Sequence, residues 1–442
     1  MDDTTDTPTD SGPRLWQKAK ELIPGGSMLL SKRAEMYLPQ GWPAYFDRTQ
    51  GCSIWDLDGR EFKDLSLMGV GTNILGYSHP DVDNAVMETV RKGNLSTLNA
   101  PEEVYLAEKL IELHPWADMV RYARSGGEIC AIAVRIARAA TGKDKVAFCG
   151  YHGWHDWYLA ANLGENDGLD GHLLPGLDPN GVPRALAGTS VPFQFNDLEQ
   201  LTNILRSDPE IGAIYLEVQR SDPPDPGFLE GVRALATQHN AVLIFDECTS
   251  GFRRTLGGMH LHYQVEPDLA TFGKTLGNGY AITAVIGRES VMQAAQKTFI
   301  SSTFWTERIG PTAALATLKV MEETSAPQRV HEIGIQVQQR WVELGTAHGL
   351  VVTPGGLPAL ANFSIDDYNP LAVKTFITQA MLDHGYLASN SMYTSIAHTP
   401  EILDQYFEAL GTVFAQITRS SDPNLGDLLP QGKADAGFKR LT

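Results

Sequence analysis

With 442 residues, 43% of them hydrophobic and 20% charged, the chain can build a large core plus a second unit and has the balance of an ordinary soluble globular protein. A formal charge of −18 disfavours nucleic acid and anionic membranes as partners, and no apolar run approaches the roughly 18–20 residues of a membrane helix. Cys52, Cys130, Cys149 and Cys248 show no CxxC pairing, which points to reduced thiols in a cytoplasm rather than to zinc or disulfides.

In chain order, MDDTTDTPTDSGP (1–13) has neither a basic n-region nor an apolar h-region and reads as a disordered acidic tail, not a signal peptide. The segment 14–75 follows, in which GCSIWDLDGREFKDLS (51–66) alternates around Asp58-Gly59 as a hairpin does. From 76 to 325, short apolar runs alternate with helical patterns, the mark of a mostly parallel sheet with crossover helices. Buried strands are expected at KVAFC (145–149), AIYLEV (213–218), AVLIFDE (241–247) and AITAVIG (281–287). Helices are expected over 128–142 and 227–240, each running toward a glycine or asparagine stop signal. Residues 326–442 carry a long helix pattern and a second αβ unit containing ALANFSID (359–366), which pairs with 14–75 as a smaller domain.

Ligands of open α/β sheets bind beyond the carboxyl ends of the strands, and four polar elements fall there. Ser125, Gly126 and Gly127 precede a helix: they suit an anion cradle, and equally an ordinary N-cap. Tyr151, at the end of KVAFC, can lay its ring on a flat ligand or pack the rim. Nearby His152, His155 and Asp156 lack further ligands at metal spacing, so no metal is expected. Asp246 ends a buried strand, where a carboxylate needs a cation or donors. Lys274, in TFGKTLGNGY, is a surface lysine or a buried amine made nucleophilic by desolvation. Together they supply a phosphate site, a ring stack, a partner for a pyridinium nitrogen and an imine-forming lysine. That is the set pyridoxal 5'-phosphate (PLP) requires.

LIPGGS (22–27), WDLDGREFKDL (55–65), ILGYSHPDV (74–82), RSGGE, YHG, GFLEGVR, FDECTSGFR, FGKTLGNGY and YTSIAHTPEIL (393–403) carry a resemblance over nearly the whole chain after the tail. It resembles the class III, fold-type I PLP aminotransferases, particularly the glutamate-1-semialdehyde aminomutase branch. The resemblance implies an α/β fold: a large domain with a mostly parallel seven-stranded sheet, plus a smaller α+β domain from the N- and C-terminal parts. It implies Lys274 as the imine-forming lysine, Asp246 as the pyridinium partner, and Tyr151 on the ring. Ser125, Gly126 and Gly127 would hold the phosphate, and Glu217 in YLEVQ would stand near the cofactor. Thr303 would reach the phosphate of a neighbouring subunit, which implies a homodimer.

The stretch FWTERIGP (304–311) replaces the aminomutase's serine- and glycine-rich segment, and LASNSM (387–392) lacks its acidic gating residue. With LLSKR, DECTSGFR and STFWTERIGP, the chain is similar to aminotransferases that aminate the 6'-oxo position of aminoglycosides of the neomycin and gentamicin type. The expected activity is amino transfer from glutamate or glutamine to an oxo group of a cationic amino sugar, the cofactor cycling through pyridoxamine 5'-phosphate. Glu307, with Asp222 and Asp225, would meet ammonium groups, and Trp42 and Trp305 would stack on sugar faces. Packing or surface roles are open to all five. The rival readings are a glutamate-1-semialdehyde 2,1-aminomutase, a PLP-dependent epimerase or dehydratase on an amino sugar, and a catalytically silent PLP-fold binding protein.

Overall fold

The computed structural model describes residues 10–164, 168–169, 172 and 176–437. The chain divides into two compact units. One holds residues up to Val70, Gly76–His79 and everything from Val330; the other holds Gly71–Leu75 and Pro80–Arg329.

The smaller unit begins with a helix at Ser11–Leu22, so the last three residues of the expected tail are helical, while its first nine lie outside the described residues. Packing causes this. Trp16 and Ala19 bury one helix face against Ala34, and Trp16 Nε1 and Lys20 Nζ donate to Glu35 at 3.0 and 2.9 Å. Strand β1 (Phe46–Gln50) pairs antiparallel with β2 (Ser53–Asp56), and β2 with β3 (Glu61–Leu65), across the Asp58-Gly59 turn, where Gly59 takes φ 79°.

The larger unit supplies β4 (Met119–Ala123), β5 (Lys145–Cys149), β6 (Ser190–Pro192), β7 (Ile211–Glu217), β8 (Val242–Glu247), β9 (Leu269–Phe272) and β10 (Thr283–Gly287). They form one seven-stranded sheet in the order β4-β10-β9-β8-β7-β5-β6. The strands β6, β5, β7, β8 and β9 are parallel, and β10 runs antiparallel to both of its neighbours. Strands covered on both faces read as continuous apolar runs, which is why β7 and β8 are buried at every position. Helix Gly126–Thr141 lays Ile129, Ala133, Ile136 and Ala137 into the core with the spacing of one helical face.

The chain then returns to the smaller unit. Strands β11 (Val352–Gly355), β12 (Leu360–Ile365) and β14 (Ser391–Tyr393) form a second sheet, while β13 (Tyr386–Ala388) adds in parallel to β3. N- and C-terminal segments therefore share a sheet and a core around Trp341, Phe363, Tyr406 and Phe414, where Trp341 Nε1 donates to Tyr406 Oη at 3.1 Å. Among the described residues no helix is long and apolar enough to cross a membrane.

Candidate active site

Strand register sets the site of the larger unit. Glu217 of β7 pairs with Asp246 of β8, and Asp246 with Thr271 of β9, so three polar residues stand in one row at the carboxyl edge of the sheet. Asp246 is 4% exposed, a costly place for a carboxylate, and the neighbourhood supplies donors. His152 Nδ1 lies 2.7 Å from Oδ2, the Cys248 amide donates to Oδ1 at 3.0 Å, and the Thr271 hydroxyl donates to Oδ1 at 3.3 Å. Burial pushes the Asp246 carboxyl up, but the hydrogen bonds and the His152 charge outweigh it and hold the group below its ordinary value. His152 is itself fixed, stacked on Tyr215 at 4.2 Å with its Nε2 3.0 Å from the Cys149 carbonyl. Both ring nitrogens thus face oxygens, which fixes the orientation of the ring beside Asp246.

Lys274 follows β9 after Gly273 and takes a left-handed backbone, φ 38°, on a short turn at Lys274–Gly277. Its Nζ donates to Thr249 Oγ1 at 3.0 Å. Burial first, then the charges of Arg220 and Arg253, pull its pKa down from 10.5 to about 8. Arg253 is fully buried and donates through Nε to the Thr249 carbonyl at 2.6 Å and through its terminal nitrogen to the Gly71 carbonyl. A buried arginine thus anchors the residue that holds the lysine. One consequence is measurable in the cofactor-free protein. The rate at which Lys274 captures an aldehyde should climb with pH and level off above about 8. Arg220→Met removes a cation, so the midpoint should move upward, as a pH series of single-turnover absorbance traces would read.

The helix-start cradle lies on Gly126–Thr141. Glu128 reaches back to accept from the amides of Arg124 (3.0 Å) and Ser125 (2.9 Å), fixing the turn in a capping box. Gly126 faces open space, and a Cβ on Gly127 would stand 2.9 Å from His155 Nδ1 and 3.1 Å from the Trp154 ring. Only glycine lets the helix start come that close. Among the described residues His155 Nδ1 is buried with no hydrogen-bond partner. Tyr151 sits just past β5, its ring edge-on to Tyr158 at 5.8 Å, and its amide donates to Glu217 Oε2 at 3.2 Å. Gly150, at φ 108°, is required here, because a Cβ would lie 2.8 Å from that carboxylate oxygen.

Glu217 also pairs with Arg220, whose guanidinium donates at 3.0 Å. The pair borders a recess of about 220 Å³ lined further by His172, Gln194, Phe195 and Asp222. Asp225 is exposed, its amide donating to Asn196.

Glu307, Trp305 and Trp42 each have partners of their own. Glu307 pairs with Arg124 at 2.9 Å and accepts from the amides of Ile309 (2.7 Å) and Gly310 (2.9 Å), so its carboxylate caps the helix Ile309–Thr324. Trp305 Nε1 donates to Glu128 at 3.3 Å, and its ring packs against the core. Trp42 belongs to the smaller unit, stacked on Tyr37 with ring centroids 4.2 Å apart. Thr303 is exposed on a turn at Thr303–Thr306. Sequence reasoning missed Arg220, Arg253 and Thr249, and weighed His152 only as a metal ligand. YLEVQRS and FDECTSGFRR carry charged residues just past strand ends, a signal that could have been used.

Topology of this kind defines the fold-type I PLP transferases. The FumI protein of Sphingopyxis sp. MTA144, solved in its PLP internal aldimine form, matches at a TM-score of 0.84 and 24% identity, covering 93% of this chain and 98% of its own. The chain belongs to the family Aminotransferase class-III, whose profile matches residues 39–401. It is 33% identical over 420 residues to the 3-aminobutyryl-CoA aminotransferase of Cloacimonas acidaminovorans, spanning 92% of this chain and 97% of the relative. It is 32% identical over 424 residues to the glutamate-1-semialdehyde 2,1-aminomutase of Methanothrix thermoacetophila, spanning 90% and 95%. The protein is a PLP-dependent aminotransferase. Its residues fit that cofactor. The donor-fed Asp246 suits a cationic ring nitrogen, the helix start bounded by Gly126 and Gly127 leaves space for a phosphate, and Lys274 carries a lowered pKa.

Proposed function

We propose that this enzyme moves an amino group from glutamate or glutamine to an oxo group of a cationic amino sugar, with the 6'-oxo position of an aminoglycoside intermediate as the acceptor within that class. The Glu217–Arg220 pair carries the reading. An amino-acid donor brings a carboxylate and the acceptor brings ammonium groups, so one recess must meet opposite charges in alternate half-reactions. An ion pair that opens offers Arg220 to the first and Glu217 to the second. The net charge of −18 supports the same class by drawing cations toward the protein.

Bound PLP supplies an electron sink that lets amine and carbonyl interconvert. Asp246 would keep the ring nitrogen charged, and Ser125, Gly126 and Gly127 would hold the phosphate. Tyr151 would pack on the ring. Lys274 Nζ would anchor the cofactor and, once released, would serve each half-reaction as base and then as acid, taking the proton from one side of the substrate nitrogen and delivering it to the other. Thr249 and Arg253 hold that amine in place. Thr303 reaches the phosphate site of a second copy in a homodimer, a reading supported by the exposed Phe299 and Phe304 around it.

The test is a pair of half-reactions. The loaded enzyme is mixed with glutamate or with 6'-amino aminoglycosides, and the carbonyl product is identified by mass spectrometry. Arg220→Met should raise KM for glutamate about tenfold or more while changing that for the amino sugar less, and Glu217→Gln should do the opposite. Inertness toward every amino sugar would end the reading. The 32% identity to the Methanothrix aminomutase supports a second one, an intramolecular amine shift on glutamate-1-semialdehyde. Conversion of that enzyme's diamine intermediate alone would select it.

A further inference from the structure

Two thiols flank the carboxylate at the end of β8. The sulfurs of Cys130 and Cys248 and a carboxylate oxygen of Asp246 all lie within 4.8 Å of one another. Cys130 Sγ is 3.6 Å from Asp246 Oδ2, and the Cys248 amide holds Oδ1 at 3.0 Å. Cys130 is buried on the inward face of helix Gly126–Thr141, and Cys248 is half-buried just past the strand. Packing alone asks only for small apolar side chains there. Two sulfurs and one oxygen are instead a donor set that thiophilic divalent cations accept, zinc with about 2.3 Å to sulfur and about 2.0–2.2 Å to oxygen, and the larger cadmium with longer bonds. Around a tetrahedral ion such donors stand roughly 3.4–3.8 Å apart, so the cluster closes on a cation with shifts of about an ångström.

Charge bookkeeping favours the exchange. Each S–H bond breaks and its proton leaves to solvent. Each sulfur keeps its electron pair and forms a bond to the cation. Two protons leave for one divalent ion, so the net charge buried at the cluster is unchanged. Burial pushes the Cys130 thiol well up and so opposes a bare thiolate, but a metal-bound sulfur escapes that penalty.

We propose that in the cofactor-free enzyme Cys130, Asp246 and Cys248 bind a thiophilic divalent cation of the zinc and cadmium type, and that this cation competes with PLP for Asp246. The proposal does not depend on which amine the enzyme accepts. The fourth metal position remains for water.

Cofactor-free, reduced full-length protein titrated with cadmium chloride should develop the ultraviolet thiolate-to-cadmium absorption and saturate at one ion per chain. Cys130→Ser and Cys248→Ser should each lose that absorption, whereas Cys52→Ser, in the smaller unit, should keep it. PLP uptake by each serine variant checks that it folds. In wild-type protein, preloading with cadmium or zinc should slow PLP uptake, a chelator should restore it, and the PLP-loaded enzyme should take up no cadmium. Cadmium uptake that persists in both serine variants, no uptake at all, or simultaneous binding of cadmium and PLP would overturn the proposal. The wild-type competition decides it even if a serine variant misfolds.

Discussion

Lys274→Ala enzyme loaded with PLP is expected to transaminate about 10⁴-fold more slowly than wild type, the upper range for loss of a positioned acid–base group. The expectation rests on the surroundings of Nζ. Desolvation and two arginine charges bring its pKa to about 8, so roughly a tenth to a fifth of the amine is neutral near physiological pH, against well under one per cent for an ordinary lysine. Lys274→Arg should be as inactive, because a guanidinium keeps its proton. Added methylamine should restore part of the alanine variant's turnover. A variant with wild-type kcat and no added amine would remove Lys274 from the mechanism.

The same shift predicts a stability signature in the cofactor-free protein. Folding lowers the lysine pKa from 10.5 to about 8, so between those values the unfolded chain binds more protons than the folded one. Stability from this group therefore rises as pH rises through that window, and the penalty is fully present below about 8. Lys274→Met should remove the penalty. Its advantage in Tm over wild type should be larger at pH 7 than at pH 10.

Asp246→Asn is expected to lower kcat by about 10²–10³, the scale seen when one preorganised electrostatic partner is removed from an active site. The amide cannot keep a pyridinium charged, and it leaves His152 facing a neutral group across the 2.7 Å contact. The loss falls short of that for Lys274 because the lysine still moves the proton. Steady-state kinetics should be joined by a pH titration of the bound cofactor's absorbance, whose transition should shift in the asparagine variant. An unchanged titration and unchanged kcat would reduce Asp246 to a structural role.

Much of the larger unit was legible in the chain because its strands advertise themselves locally. KVAFC is β5 to the residue, and the runs at 213–218, 241–247 and 281–287 each fall within two residues of a strand boundary. Strands β4, β6 and β9 went unread: β6 and β9 have three and four residues, too few for a pattern, and β4 carries Arg121 and Tyr122 at half-buried positions. The reversed direction of β10 leaves no trace in a five-residue run. Glu307 shows what a local reading leaves out. An acidic residue among bulky neighbours looked available to a ligand, yet Arg124, distant in sequence, pairs with it.

By itself the sequence determined four strands of the larger sheet and two of its helices, the strand-end place of Asp246, and the glycine-rich, uncharged setting of Lys274. These depend on residues adjacent in the chain, whose periodicity and backbone freedom are written locally. Only the tertiary structure decided that His152 faces Asp246, that Arg220 and Arg253 act on Lys274, that two cysteines meet one carboxylate, and that Glu307 caps a helix. Those are matters of charge and hydrogen bonding through space. They depend on distances of a few ångströms between residues far apart in the chain, which exist only after the sheet has set its register.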